Sequence, residues 1–224
     1  MISILVPSRK RPGGLKRLYY SARKTAQFFD DIEFVVYVDE DDTSYEKTSF
    51  PNMKFIKGPR IVLSEMWNRC YEKAKGPIYM HCGDDIIFRT PNWDTVVRQE
   101  FEKYPDKIVF VYGNDGSGVH DGRFGTHGFI HRNWVDAVGY FVPPYFSSDF
   151  NDTWLNDVAR MIGRHNHIDI LTEHMHPDLG KGKLDITHRE RLDRHKRDNV
   201  NVLYESKIGE RVWDAQKLSN VIGE

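Results

Sequence analysis

The chain has 224 residues, 39% of them apolar and 29% charged, with a formal net charge of -1. That length suits one domain with or without an appended tail, and the near-neutral balance excludes a global field aimed at nucleic acid or membrane. Two cysteines, Cys70 and Cys82, exclude a disulfide framework and lack the paired spacing of a cysteine zinc site. No apolar run reaches a membrane span, and the opening MISILVPSRKRP carries too short an apolar stretch for a secretion signal, so a cytoplasmic protein is expected.

Ile2 to Pro7 reads as a buried strand, closed by the basic, Gly/Pro-punctuated loop SRKRPGG. Leu15, Leu18, Tyr19, Ala22 and Ala26 then recur at helical spacing. EFVVYVDEDD is a second buried run that ends in Asp39, Glu40, Asp41 and Asp42, and MKFIKG is a third, shorter strand. Val62, Met66, Trp67 and Tyr71 predict a helix ending before Gly76-Pro77, and PIYMHC is the fourth strand. Strands alternating with helices point to a parallel, doubly wound α/β sheet, in which ligands bind beyond the carboxyl ends of the strands. One basic loop and two acidic ones, the last being Asp84-Asp85, then converge on one rim.

KIVFVYG is a further strand, NDGSGVHDGRFGTHG a mobile Gly-rich loop, and GFIHRNWVDAVGYF a short strand and helix. After the aromatic loop VPPYFSSDF comes a helix carrying Leu155, Val158, Ala159 and Ile162, with Asp152 at its N-cap or first turn. HIDILTEHMHP reads as a strand whose period of two puts Ile168, Ile170, His174 and His176 on one face. The remainder, residues 181–224, is strongly charged, with an amphipathic stretch from Val212 to Val221. Residues 1–180 are thus expected to form the domain, with 181–224 as a charged C-terminal extension.

The adjacent carboxylates Asp84 and Asp85 repel each other and ask for a counter-charge. They form either a turn or a cation site, since Mg²⁺ and Mn²⁺ take carboxylate oxygens together with substrate phosphates. His174 and His176 are either surface histidines or imidazole ligands to the same ion, which suits Mn²⁺ better than Mg²⁺. Arg9, Lys10 and Arg11 are either solvated charge or a phosphate- or base-binding loop. Asp149 and Asp152 either cap a helix or supply a general base. Neither a dinucleotide Gly-x-Gly-x-x-Gly nor a P-loop occurs.

Residues 2–177 resemble the nucleotide-sugar glycosyltransferases of the GT-A fold. The resemblance rests on ILVPSRKRP, VVYVDEDD, LSEMWNRCYEKAKGPIYMHCGDDIIF, NDTWLNDVAR and TEHMHP. It implies a Rossmann-like mixed sheet flanked by helices, in a single domain whose residues 1–90 form the nucleotide-binding half and 91–180 the acceptor half, with a charged C-terminal extension. It further implies a metal-dependent glycosyltransferase that uses Mn²⁺ or Mg²⁺ and a nucleotide-diphosphate donor, a UDP-sugar first among them. Pro7, Arg9 and Arg11 would border the nucleotide, Asp39 would bond the base and Asp41 would line the same pocket. Arg60, Ser64 and Asn68 would face nucleotide and ribose. Asp85 would ligate the metal, Asp84 would hold the ribose or a metal-bound water, and His174 or His176 would be the late ligand. Asp152 would be the general base of an inverting reaction, with Asp149 second. The chain departs from a strict Asp-X-Asp at Gly83, and Asn151 stands where the family often has Glu.

A nucleotidyltransferase is the rival enzyme, although SRKRPGG puts its basic residues before its glycines. A non-catalytic nucleotide-sugar-binding module is the rival from another class. The acceptor is open. THRERLDRHKRDN, residues 187–199, reads as a solvated helix of paired charges, with DNA carrying a hydroxylated base, as in phages, as the sharper expectation.

Overall fold

The computed structural model describes residues 1–223. Eight strands form one sheet: β1 (Ile2–Pro7), β2 (Ile32–Asp39), β3 (Met53–Gly58), β4 (Ile78–His81), β5 (Ile86–Phe88), β6 (Phe110–Asn114), β7 (Gly128–His131) and β8 (His165–His174). The helices are α1 (Pro12–Thr25), α2 (Leu63–Lys73), α3 (Trp93–Glu102), α4 (Arg132–Val138), α5 (Asn151–Met161), α6 (Ile186–Arg197), α7 (Val200–Ser206) and α8 (Ile208–Ile222). The strand order is β3-β2-β1-β4-β7-β6-β8-β5.

The first half is parallel, as the strand–helix alternation predicts: β1 runs alongside both β2 and β4, and β2 alongside β3. The second half departs from a doubly wound sheet. β7 is antiparallel to both β4 and β6, and β5 is antiparallel to the end of β8. The β4–β5 connection is too short for the crossover that a parallel return beside β4 needs, and β5 pairs instead with β8 at the far edge of the sheet. The result is the mixed sheet, flanked by helices, that the resemblance implied.

Alternation along β1 divides the core. Ile2, Ile4 and Val6 face α1 and α3, packing with Leu15, Leu18, Trp93, Val97 and Phe101. Leu5 faces the other way, into a layer with Met66 and Trp67 of α2, Trp134 of α4, Trp154 of α5 and Leu218 of α8. The period-2 pattern therefore buries both faces of the sheet.

Residues 181–223 join this second layer. On α8, Ala215 and Leu218 are buried, together with Arg211 and Asp214. The Arg211 guanidinium lies 3.8 Å from the Tyr204 ring centroid, and Trp154 Nε1 donates to Asp214 at 3.1 Å. Val212 and Val221, which bound the expected amphipathic stretch, are exposed. The amphipathic helix is real, but its inward face carries a buried Arg and a buried Asp beside Ala215 and Leu218.

Candidate functional site

The parallel strands β1, β2 and β4 end side by side, so their following residues meet at one rim. Ser8 Oγ donates to Asp84 Oδ2 at 2.6 Å, and Arg9 Nη1 donates to Asp39 Oδ2 at 2.5 Å. These contacts cross gaps of 76 and 30 residues. A cavity of about 250 Å³ opens there, lined by Pro7, Arg9, Arg11, Asp39 and Arg60 together with Asp84, Asp85, Asp152, His174 and His176. Its apolar floor is Ile61, Leu63, Met66 and Trp67.

Among the described residues, Asp85, His127 and His174 form a cluster whose ligand atoms all lie within 4.8 Å of one another. Asp85 Oδ2 is 3.4 Å from His174 Nε2. Burial works against the Asp85 charge, but the hydrogen bond and charge of His174 outweigh it and hold this carboxyl below the usual range. Asp84 goes the other way, pushed up to about 6 by burial and by Asp85 beside it. His127 is buried, neither ring nitrogen has a hydrogen-bond partner, and burial holds its pKa well below that of a free imidazole. A neutral imidazole with an unused lone pair, facing an ionised carboxylate and a second imidazole, fits a divalent cation with coordination positions left over.

His127 was not anticipated, because nothing near it in the sequence pairs with Asp85. Gly83 is the local clue. A Cβ there would lie 2.7 Å from Asp85 Oδ1 and 3.7 Å from the His127 ring. The Asp85 carboxylate and the His127 ring thus crowd the space that the first acid of a strict Asp-X-Asp would need.

The two late histidines separate. β8 ends at His174, so the expected strand periodicity stops short of His176. His176 caps the following 3-10 turn, its Nδ1 accepting the Asp178 N–H at 3.2 Å. It lines the cavity 5.0 Å from the His174 ring but lies outside the cluster. Burial pushes it down to about 4.

Asp149 and Asp152 separate too. Asp149 is held by Arg191 at 3.0 Å and by His195 Nδ1 at 2.6 Å, both from α6. Asp152 lies in the first turn of α5, whose N-cap is Phe150. Among the described residues its carboxylate accepts only from Thr153, through the backbone N–H at 2.8 Å and a long contact from the hydroxyl. It keeps one edge on the cavity while protein surrounds it elsewhere, and that burial pushes it up to about 6.

At the far end, Arg9 bridges Asp39 and the exposed Asp41, to which it donates at 2.8 Å and 3.2 Å. Asp39 is buried, and its Oδ1 has no partner. Its carboxyl is raised by burial, with Arg9 opposing. Arg11 is committed: Nε and Nη2 grip Asp185 at 2.7 Å and 2.8 Å, while Nη1 reaches Asp84 at 3.3 Å.

Two expected nucleotide contacts are placed elsewhere. The Ser64 hydroxyl donates to the Phe146 carbonyl at 2.7 Å and lies 2.8 Å from Asn151 Oδ1. Asn68 accepts the Phe141 and Val142 N–H groups at 3.0 Å and 3.1 Å and donates to the Val142 carbonyl at 2.9 Å. Both sit on α2 but bracket the segment before α5 and are absent from the cavity wall, whereas Arg60 lines it.

The segment expected as a solvated helix roofs the cavity. Thr187, His188, Glu190, Arg191 and Arg194 of α6 line it, while Ile186 and Leu192 are exposed. The helix is inside-out: its polar face turns to the site, so its apolar positions give no sign of where it docks. The Gly-rich segment expected as mobile is tied at both ends. The Asp115 carboxylate takes hydrogen bonds from Ser117 and Thr126, and His120 Nδ1 lies 2.9 Å from it.

No protein-family model and no curated protein matches the chain. Solved structures do. TarS from S. aureus, residues 1–349, superposes with a TM-score of 0.58 at 15% identity, over 87% of this chain and 71% of that one. The mannosyltransferase PcManGT from Pyrobaculum calidifontis, in complex with GDP-Man and Mn²⁺, gives 0.60 at 12% identity, over 98% and 73%. TarS 1–349 in complex with UDP-GlcNAc gives 0.59 at 13%, over 82% and 61%. The fold is the one these GT-A-like glycosyltransferases share. No helix among the described residues is long and apolar enough to cross a membrane.

Proposed function

We propose that this protein transfers a sugar from a nucleotide-diphosphate donor, a UDP-sugar first among them, to an acceptor hydroxyl, with inversion. The observation that carries this reading is the joint presence in one cavity of a cation-fitting cluster and a separate, unpaired carboxylate. The cluster is Asp85, His127 and His174; the carboxylate is Asp152. Structural neighbours whose names specify glycosyl donors lend further support.

The buried, unpartnered Asp39 Oδ1 is suited to accept a hydrogen bond from a nucleobase N–H, and Arg9 keeps Asp39 in place while covering its charge. Asp84, held by Ser8 and Arg11, is suited to the ribose. A divalent ion held by Asp85, His127 and His174 would neutralise the leaving diphosphate as a Lewis acid. The two imidazoles favour Mn²⁺ over Mg²⁺. Arg191 and Arg194 bring further positive charge from the α6 roof. Asp152 accepts the acceptor's hydroxyl proton as the new C–O bond forms, and its raised pKa suits that transfer near neutral pH.

The outward face of α6 keeps Arg189, Lys196 and Arg197 beside Ile186, Leu192 and Asp193. That mixed surface is no polycation track for DNA, so the acceptor we propose is a hydroxyl compound that enters beside Asp152. Incubation with a panel of nucleotide sugars, with and without Mn²⁺, tests the reading through nucleotide release. Mn²⁺-dependent release of UDP or GDP supports it. Release of pyrophosphate from nucleoside triphosphates would favour a nucleotidyltransferase instead, and tight nucleotide binding without any turnover would favour a binding module.

A further inference from the structure

Protein histidines that bind metals are normally aimed by a hydrogen bond from their second ring nitrogen to a carboxylate or carbonyl. Among the described residues, none makes such a bond to either nitrogen of His127. It also precedes β7, which begins at Gly128, so no strand ladder holds its backbone. Gly128, paired with His81 and Tyr112, holds one side of it, and the His81 and His174 rings pack against its own ring; on the other side its placement depends on whatever fixes Gly125 and Thr126.

Two side chains do this. Asn156, on α5 and fully buried, accepts the Gly125 N–H at 2.7 Å and donates to the Gly125 carbonyl at 2.9 Å, as a neighbouring strand would. Its amide also donates to the Asp152 carbonyl at 2.8 Å. Its Oδ1 lies 2.7 Å from His165 Nε2. Asp115, at the end of β6, accepts from Thr126 Oγ1 at 2.8 Å, and its backbone carbonyl accepts the His174 N–H at 2.9 Å. The segment is pressed onto the sheet as well, since a Cβ at Gly125 would lie 2.6 Å from the Cβ of Tyr112.

We propose that Asp115 and Asn156 are the positioning residues of this site. Asp115 ties His127 to His174, and Asn156 ties the His127 segment to the helix turn that carries Asp152. The inference rests on the metal reading above and adds how that geometry is kept without a direct hydrogen bond to the His127 ring.

The test is Mn²⁺ affinity, read by electron paramagnetic resonance on the full chain without donor, beside the thermal midpoint. Asn156→Asp removes the amide donor, Asp115→Asn removes the carboxylate, and Thr126→Val removes a single hydroxyl at nearly constant volume. Each is expected to weaken Mn²⁺ about 10- to 100-fold, as outer-shell partners do elsewhere. Asn68→Ala, which loosens a bracket away from His127, is expected to lower the midpoint and leave Mn²⁺ affinity as it was. Wild-type affinity in folded Thr126→Val and Asp115→Asn proteins would overturn the inference alone. Failure of the wild-type protein to bind Mn²⁺ would overturn the metal reading and this inference with it.

Discussion

Asp85 and His174 meet across the antiparallel β5–β8 pair, carboxylate oxygen to imidazole nitrogen at 3.4 Å. The register holds them there: Ile86 is paired with His174, and the Met175 N–H donates to the Asp85 carbonyl at 2.9 Å. Asp85→Ala and His174→Ala should each weaken Mn²⁺ by more than about 100-fold, the upper end of what an outer-shell partner costs. His176→Ala should leave Mn²⁺ affinity near wild type, because that ring lies outside the cluster. Calorimetric titration of the three variants checks this. Equal losses at His174 and His176 would place the ion between them instead.

The two acids near the start of α5 should part company in a pH profile. A base must be ionised to act, and burial holds Asp152 at about 6. The rate should therefore climb as pH rises through about 6 and level off above it, and Asp152→Asn should abolish turnover. Asp149→Asn should keep turnover with a raised KM, since Asp149 anchors Arg191 and His195 of the roof. A pH-independent rate from 5 to 8 would remove Asp152 as the base.

The same shift makes a stability prediction. The folded pKa of Asp152 exceeds the ordinary carboxylate value, so the folded chain binds more protons than the unfolded one between about 4 and 6. Stability must then fall as pH rises through that window. Asp152→Asn stays neutral and should be more stable than wild type at pH 7, by on the order of 2 kcal/mol. Urea unfolding at pH 7 and pH 5 measures it: the gain should shrink at the lower pH.

How much of this was legible in the chain depends on range. The parallel half was, because β1, β2 and β4 are short apolar runs that end in Ser8, Asp39 and Asp84, and period alone places those ends together. The antiparallel half was not, because direction depends on how β7 inserts between β4 and β6, a pairing distant in sequence. Asp85 and His174 were readable from type and position. His127 was not, since its partners come from β4–β5 and β8 and its own loop looked merely Gly-rich. Nothing in the sequence tells a polar residue on a helix facing a site, as Ser64 and Asn68 were expected to, from one that brackets a loop, as both do in the fold. The roof was missed because α6 turns its charges inward, the opposite of the pattern that marks a docked helix.

Asn68 satisfies two N–H groups and one carbonyl of the Phe141–Val142 turn. Removing it leaves half-buried backbone groups without partners, at a cost of about 1–3 kcal/mol. Asn68→Ala should lower the thermal midpoint while leaving the Kd for UDP unchanged. A weaker Kd at full stability would return Asn68 to the nucleotide.

The α6 roof should be read out by charge. Arg191 and Arg194 line the cavity from above, and burial lowers the Arg194 pKa, so an anion beneath it would be welcome. A nucleoside carries no phosphate, whereas UDP carries two. If the roof meets the diphosphate, Arg191→Ala and Arg194→Ala should weaken UDP about 10-fold each, the worth of one charge-assisted hydrogen bond, and leave uridine unaffected. Because Arg191 also holds Asp149 at 3.0 Å, its variant should loosen the roof as well, and exchange of the α6 amides should quicken in that variant alone. Arg194 donates to the Ser147 carbonyl at 3.2 Å and has no such ion pair among the described residues, so its effect should be confined to the anion. Equal losses for UDP and uridine in both variants would mean that the roof merely shapes the pocket and supplies no charge to the donor.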